Sequence, residues 1–162
     1  MSEAYTTMAS PVGELLLTAE DGQLTGLYMP VEVHGPPAGM ARDDNAFAAV
    51  RRQLEEYFSR ERRAFDLPVA PRGTPFQQRI WAELQRIGYG ETISYAELAA
   101  RIGRPTAIRA AGAANGANPV SIIIPCHRVI GSDGSLTGYG GGLEAKRRLL
   151  ELERSPADTV AR

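Results

Sequence analysis

Apolar residues recur along this chain in two rhythms, and the change of rhythm divides it. Segments 6–10, 13–19 and 23–29 alternate or cluster apolar residues with the short period of strands, and Asp21-Gly22 between the last two offers a tight hairpin turn. This predicts an antiparallel β-sheet at the start of the chain. Residues 30–39 are rich in Pro and Gly and are expected to be loop. In segment 45–60 the period lengthens: Phe47, Val50, Leu54, Tyr57 and Phe58 fall at helical spacing. Segment 68–73, Pro-Val-Ala-Pro-Arg-Gly, reads as a connector, so the expected division is 1–72 and 73–162. The fold class is α+β, with a sheet and a helix first and a mainly helical part after them.

The second part opens on strong helix signals. Thr74 can cap, Pro75 suits the first turn, and Gln77 completes a capping box, with Phe76, Ile80, Trp81 and Leu84 as the apolar face and Gly88 as the expected stop. Ser94 and Glu97 make a second capping-box pattern and start a short helix reaching Ile102. Residues 103–106 break it, and 107–115 form a third helix, a spacing that suggests helix-turn-helix geometry. That third helix is almost bare, with Ala107, Ala110, Ala111, Gly112, Ala113, Ala114 and Gly116, and Arg109 as its one long side chain. Such a helix can approach another surface closely, whether inside the protein or outside it. The β-branched run 121–124 reads as a buried strand, 131–134 as a turn and 138–142 as a flexible glycine-rich segment. A final amphipathic helix over 143–154 is expected to turn Leu149, Leu150 and Leu152 inward.

Composition narrows the class. The chain has 162 residues, 43% of them hydrophobic and 23% charged, which suits a folded core. No apolar run approaches membrane-spanning length and the N-terminus has no basic-then-apolar signal pattern, so no membrane association is expected and the expected location is the cytoplasm. A single cysteine cannot form an internal disulfide, and one cysteine with two histidines makes a poor zinc site; no metal or cofactor is expected. The net charge of −1 conceals an imbalance: residues 1–72 carry 7 Arg against 11 Asp and Glu, and residues 73–162 carry 11 Arg and Lys against 8. A positive second part points to an anionic partner, although ordinary surface variation gives the same imbalance.

The candidate chemistry lies at Pro125-Cys126-His127-Arg128-Val129. A cysteine becomes nucleophilic as its thiolate, which needs a base or positive charge close by, and here an imidazole and a guanidinium follow it directly. Neighbours in a regular strand point to opposite faces, so a bridging water would have to carry the proton from thiol to imidazole. The imidazole needs a carboxylate to orient it. Glu144, Glu151 and Glu153 are the nearby acidic candidates, and spacing does not choose among them. Asn118, restricted to extended geometry by Pro119, places an amide close to the same segment.

Asn118-Pro119-Val120, Pro125-Cys126-His127-Arg128-Val129 and Tyr139-Gly140-Gly141-Gly142-Leu143 resemble the O6-alkylguanine-DNA alkyltransferase family, as do Gly73-Thr74-Pro75-Phe76-Gln77-Gln78 and Ile93-Ser94-Tyr95. The resemblance covers about residues 73–153; the first part is similar in length and in its β-then-helix order. It implies a ribonuclease H-like N-terminal domain and a C-terminal domain with a winged helix-turn-helix motif. It implies single-turnover repair in which Cys126 takes the alkyl group irreversibly from O6 of a flipped-out guanine, and less certainly from O4 of thymine, in double-stranded DNA bound through the minor groove. By the same resemblance His127 is the water-mediated base, Glu153 orients it, and Asn118 organises the site. Tyr95 and Arg109 extrude the nucleotide and replace it in the stack, Tyr139 lines the base pocket, and Arg104 and Ser132 contact the DNA backbone. Ser121 and Gly140 fall on the pocket rim where members differ, which leaves alkyl size open. No obligate protein partner is implied. Rival readings are a non-catalytic lesion binder, which Cys126 opposes, a cysteine hydrolase, for which no oxyanion hole is marked, and a plain helix-turn-helix regulator.

Overall fold

The computed structural model describes residues 3–136 and 138–154; the outermost residues of the two expected parts, 1–2 and 155–162, lie outside the described residues. Three strands run in sequence, β1 (Glu3–Met8), β2 (Leu15–Glu20) and β3 (Gln23–Tyr28), and a two-residue β4 (Ala41–Arg42) completes a sheet of order β3-β2-β1-β4. β1 and β2 pair antiparallel from Glu3 opposite Glu20 to Met8 opposite Leu15, whereas β4 joins β1 in parallel. Ala4, Thr6 and Met8 alternate inward along β1, the two-residue period expected of a strand with one covered face. The β2–β3 hairpin turns at Asp21 and Gly22, both at positive φ (51° and 83°), the backbone that an Asp-Gly pair supplies at least cost. β4 was not expected from the sequence; two residues carry no period to read.

A 3-10 turn at Asp44–Phe47 leads into α1 (Ala48–Phe58), whose Val50, Leu54 and Tyr57 are buried. The connector does more than link. Leu24 N–H donates to Pro68 O (2.9 Å) and Ala70 N–H donates to Leu24 O (2.8 Å), so residues 68–70 cover the free edge of β3. Further along the same edge, Leu27 N–H donates to Pro119 O (2.8 Å) and Ser121 N–H to Leu27 O (3.3 Å). The segment leading to Cys126 is therefore tied by backbone hydrogen bonds to the N-terminal sheet.

In the second part α2 (Pro75–Leu84) has the expected reciprocal cap, Thr74 Oγ1 accepting from Gln77 N–H and the Gln77 side chain accepting from Thr74 N–H. α2 stops at Leu84, one turn before Gly88. β5 (Ile93–Ser94) pairs in parallel with β6 (Val129–Ile130), and between them lie α3 (Tyr95–Arg101) and α4 (Ile108–Gly116). α4 packs on both α2 and α3, and Trp81 Nε1–H of α2 donates to Ala114 O at 2.9 Å. Its small residues make this possible: a Cβ at Gly112 would stand 3.4 Å from the Tyr95 ring. α5 (Leu143–Glu153) closes the chain. One contiguous apolar core runs from Leu15 and Leu17 through Tyr57 and Trp81 to Leu149.

Two expectations fail. Residues 121–124 are not a strand: after Val120 bridges Leu27, the chain winds through tight turns. Ile123 N–H donates to Ser121 O (2.8 Å) around Ile122 at φ +72°, and Cys126 N–H donates to Ile124 O (2.8 Å) around Pro125. Residues 120–129 are all buried, which explains the apolar composition, but a strand needs a partner and within 120–124 only Val120 is bridged. On α5, Leu149 and Leu150 point inward as expected, but Leu152 is only partly buried and Glu153 takes the inward place, 1% exposed.

Candidate active site

Pro125 fixes the turn that ends this wound segment, and Cys126–Arg128 form a single 3-10 turn. The sulfur and the imidazole thus leave a tight helical turn rather than opposite faces of a strand. A β-branched residue at positive φ costs about 1–2 kcal/mol, and Ile122 holds that conformation four residues before the thiol.

His127 is fully buried, and its Nε2 lies 2.7 Å from Glu153 Oε2. A carboxylate can only accept, so Nε2 carries the proton and Nδ1 is left as the basic nitrogen. Nδ1 has no hydrogen-bond partner within the protein. Burial draws the His127 pKa down, and the Glu153 carboxylate partly opposes it, so the ring is neutral at rest near pH 7. Glu153 is where several elements meet. Arg128 donates in a fork, Nε to Oε1 at 2.9 Å and Nη2 to Oε2 at 3.0 Å, while its Nη1 donates to Ile87 O at 2.6 Å. The Tyr57 hydroxyl of α1 donates to Oε2 at 2.6 Å. Burial alone would raise the Glu153 carboxyl, but hydrogen bonds and charge from His127 and Arg128 outweigh it and hold it well below the usual carboxylate range. Glu144 and Glu151, the other carboxylates open from the sequence, are exposed and pair with Arg147 and Arg148 on the outer face of α5.

Cys126 is 3% exposed. Burial pushes its thiol up, while hydrogen bonds from Asn118 and Ser121 and the charge of Lys146 pull it down. The net shift is upward, so the resting group is a neutral thiol and the thiolate forms only as a base removes its proton. Asn118 is locked by donating Nδ2–H to Ile124 O (2.8 Å) and accepting Val120 N–H at Oδ1 (3.0 Å). Asn115 on α4 donates to Cys126 O at 3.3 Å, so two amides clamp the turn from the helix side. The Tyr139 hydroxyl is buried against Cys126 and Ser121, and its pKa is driven well above the phenol range, first by burial.

Cys126, His127, Glu153, Asn118 and Tyr139 therefore come together. Tyr95 and Arg109 line, with Thr106, Ile108, Gly112 and Gly138, an open depression of about 670 Å³ over α4. Arg109 and Ile108 are exposed on its rim. Arg104 is exposed in the turn between α3 and α4 with its guanidinium 5.9 Å from the Phe76 ring centre, and Ser132 is exposed in the 131–134 turn, both outside the buried cluster.

Lys146 and Tyr57 were not singled out as site residues by sequence reasoning, and Arg128 was read as a cation beside the thiol rather than as the partner of Glu153. Lys146 is the chain's only lysine, has no exposed surface, stands 5.8 Å from the Tyr95 ring centre, and is lowered by burial to about 8. A signal existed: residues 145, 146, 149, 150 and 153 form the inward stripe of α5, and that stripe contains Lys146 and Glu153. Among the described residues, no group of three or more His, Cys, Asp and Glu side chains could hold a metal, and no helix is long and apolar enough to cross a membrane.

Comparison with known proteins matches residues 75–155 to the DNA-binding domain of 6-O-methylguanine DNA methyltransferase and residues 4–71 to the ribonuclease-like domain of the same family. The methylated-DNA–protein-cysteine methyltransferase of Mycobacterium tuberculosis is 51% identical over 162 residues, covering 95% of each chain, and that of Haemophilus influenzae is 48% identical over 155 residues, covering 94% of this chain and 87% of its own. The crystal structure of the M. tuberculosis O6-methylguanine methyltransferase superposes with a TM-score of 0.89 at 49% identity, covering 98% of each chain. The M. tuberculosis protein in complex with DNA superposes at 0.88, with 50% identity over 96% of this chain and 97% of its own.

Proposed function

The chain belongs to the 6-O-methylguanine DNA methyltransferase family, and from that premise we propose that Cys126 is the alkyl acceptor, served by His127 and Glu153. The protein binds DNA and repairs it by direct reversal, transferring an alkyl group to cysteine. The observation that carries the assignment of residues is the buried pairing of His127 Nε2 with Glu153, which leaves Nδ1 as the basic nitrogen of the imidazole beside the thiol-bearing turn.

In the reaction a water carries the Cys126 proton to His127 Nδ1, and Glu153 stabilises the imidazolium that forms. The sulfur then bonds to the alkyl carbon as the carbon–O6 bond breaks. The electron pair leaves with guanine O6, and the imidazolium gives up its proton as guanine takes one up, so the thiol proton ends on guanine in the net balance. Lys146, close to the sulfur, favours the thiolate as it appears. The atoms balance without a cofactor, and the thioether does not revert, so each chain acts once. The target atom lies inside the duplex, so the nucleotide must leave the stack at a cost of a few kcal/mol. Arg109 on the bare surface of α4 is suited to fill the gap while the helix lies in the minor groove, with Tyr95 and Tyr139 bounding the path to the sulfur and Arg104 and Ser132 placed to meet the backbone. The boundary between a sheet domain and a catalytic domain falls at 72/73, and the protein works in the cytoplasm.

Incubation with an O6-methylguanine duplex followed by intact-protein mass spectrometry tests this. The expected result is one added methyl per chain, mapped to the Cys126 peptide, and none in Cys126→Ser. Methyl on another residue, or repeated turnover without a mass change, would overturn the assignment.

A further inference from the structure

We infer that Tyr57, on α1 of the N-terminal sheet-and-helix part, is a positioning residue for the Cys126 site, holding the Glu153 carboxylate that orients His127. The inference rests on the assignment of His127 as base. Tyr57 and Glu153 lie 96 residues apart in sequence, both are buried (0% and 1% exposed), and the phenol oxygen stands 2.6 Å from Glu153 Oε2. The same oxygen receives His127 Nε2 at 2.7 Å and Arg128 Nη2 at 3.0 Å.

The Tyr57 ring is itself fixed. Phe58 and Phe65 centre 5.3 Å from it, and Tyr89 6.2 Å, in edge or tilted contact. For packing alone a phenylalanine would serve; the hydroxyl reaches one acceptor, and that acceptor belongs to the catalytic cluster. Burial and then the adjacent carboxylate hold the hydroxyl well above the normal phenol range, so it remains a donor throughout the pH range of any repair assay. The charged and titratable groups acting on this cluster include Arg128 from the 3-10 turn, Lys146 from α5 and Tyr89 from the segment after α2, and Glu32 of the N-terminal part acts on the neighbouring Cys126. Glu32 acts on the thiol through charge, whereas Tyr57 hydrogen-bonds directly to the carboxylate that holds His127.

Without the hydroxyl, Oε2 is less neutralised and binds the His127 proton more tightly. The imidazolium is then favoured and the base form appears at higher pH. The carboxylate also loses its anchor to α1, so His127 is held less firmly. In full-length Tyr57→Phe, the acid limb of the rate of methyl transfer from O6-methylguanine duplex is expected to move up by about 0.5–1 pH unit, with the plateau about three- to tenfold lower. Phe65→Leu loosens the same ring cluster without touching Glu153; it should lower the unfolding temperature and leave the acid limb in place. A Tyr57→Phe limb that is unmoved or shifted down, with only a stability loss like that of Phe65→Leu, would reduce Tyr57 to a core residue. Failure of the underlying assignment reads differently: the wild type itself would then take no methyl at Cys126.

Discussion

Replacing Glu153 with glutamine changes one atom in the core and should cost more than most cavity mutations. The carboxylate now accepts from Tyr57, His127 and both arms of the Arg128 fork, all inside the protein. Glutamine offers one acceptor oxygen and presents an NH2 to Arg128, which can only donate, and leaves a guanidinium 7% exposed without a counter-charge. Removing one partner of a buried pair costs about 3–5 kcal/mol. For a chain of this size that is a fall in Tm of roughly 10 °C, read by circular dichroism or by the fluorescence of the single Trp81. The pH dependence supplies a second check. Because the folded Glu153 pKa is depressed, its stabilisation is complete above the unfolded value and is lost as pH falls towards the folded one. The wild type should therefore lose its advantage over Glu153→Gln by about 1.4 kcal/mol for each pH unit below about 4.5, roughly 2 kcal/mol by pH 3. A difference below about 1 kcal/mol at pH 7, or one that stays constant down to pH 3, would refute this account of the buried network.

Arg109→Ala should slow transfer from duplex O6-methylguanine by tenfold or more while leaving reaction with free O6-benzylguanine within about twofold, since only the duplex demands extrusion; equal losses measured on the two substrates would remove the stacking role. Ile122→Gly relieves the positive φ of +72° but forfeits a buried side chain, whereas Ile124→Gly only forfeits one. Urea unfolding should find Ile122→Gly the milder of the two by about 1–2 kcal/mol, and equal losses would mean that the Ile122 backbone stores no strain.

The local elements were open to sequence reading because their causes are local. The Thr74–Gln77 box, the Asp21-Gly22 turn and the spacing of Ile80, Trp81 and Leu84 each act within a few residues, and each was observed where the pattern placed it. The segment 121–124 was misread because β-branched composition reports burial, and burial is shared by strands and by wound turns; the outcome depended on whether a partner edge lay alongside. The ends of the helices moved by a few residues for a similar reason, since packing rather than capping set them.

At the site, the sequence by itself determined that one thiol, one imidazole and one guanidinium follow a proline, and so that any nucleophile here would be Cys126. It left three glutamates open as the orienting group. Only the tertiary structure separated Glu153, buried among four donor contacts from three side chains, from the exposed Glu144 and Glu151, because only packing decides which side of α5 water is excluded from. Lys146 and Tyr57 came into view the same way. An ordinary lysine and an ordinary core tyrosine acquire chemistry through what lies across from them, 20 residues away in one case and 96 in the other, and a desolvated charge or hydroxyl interacts far more strongly than a solvated one.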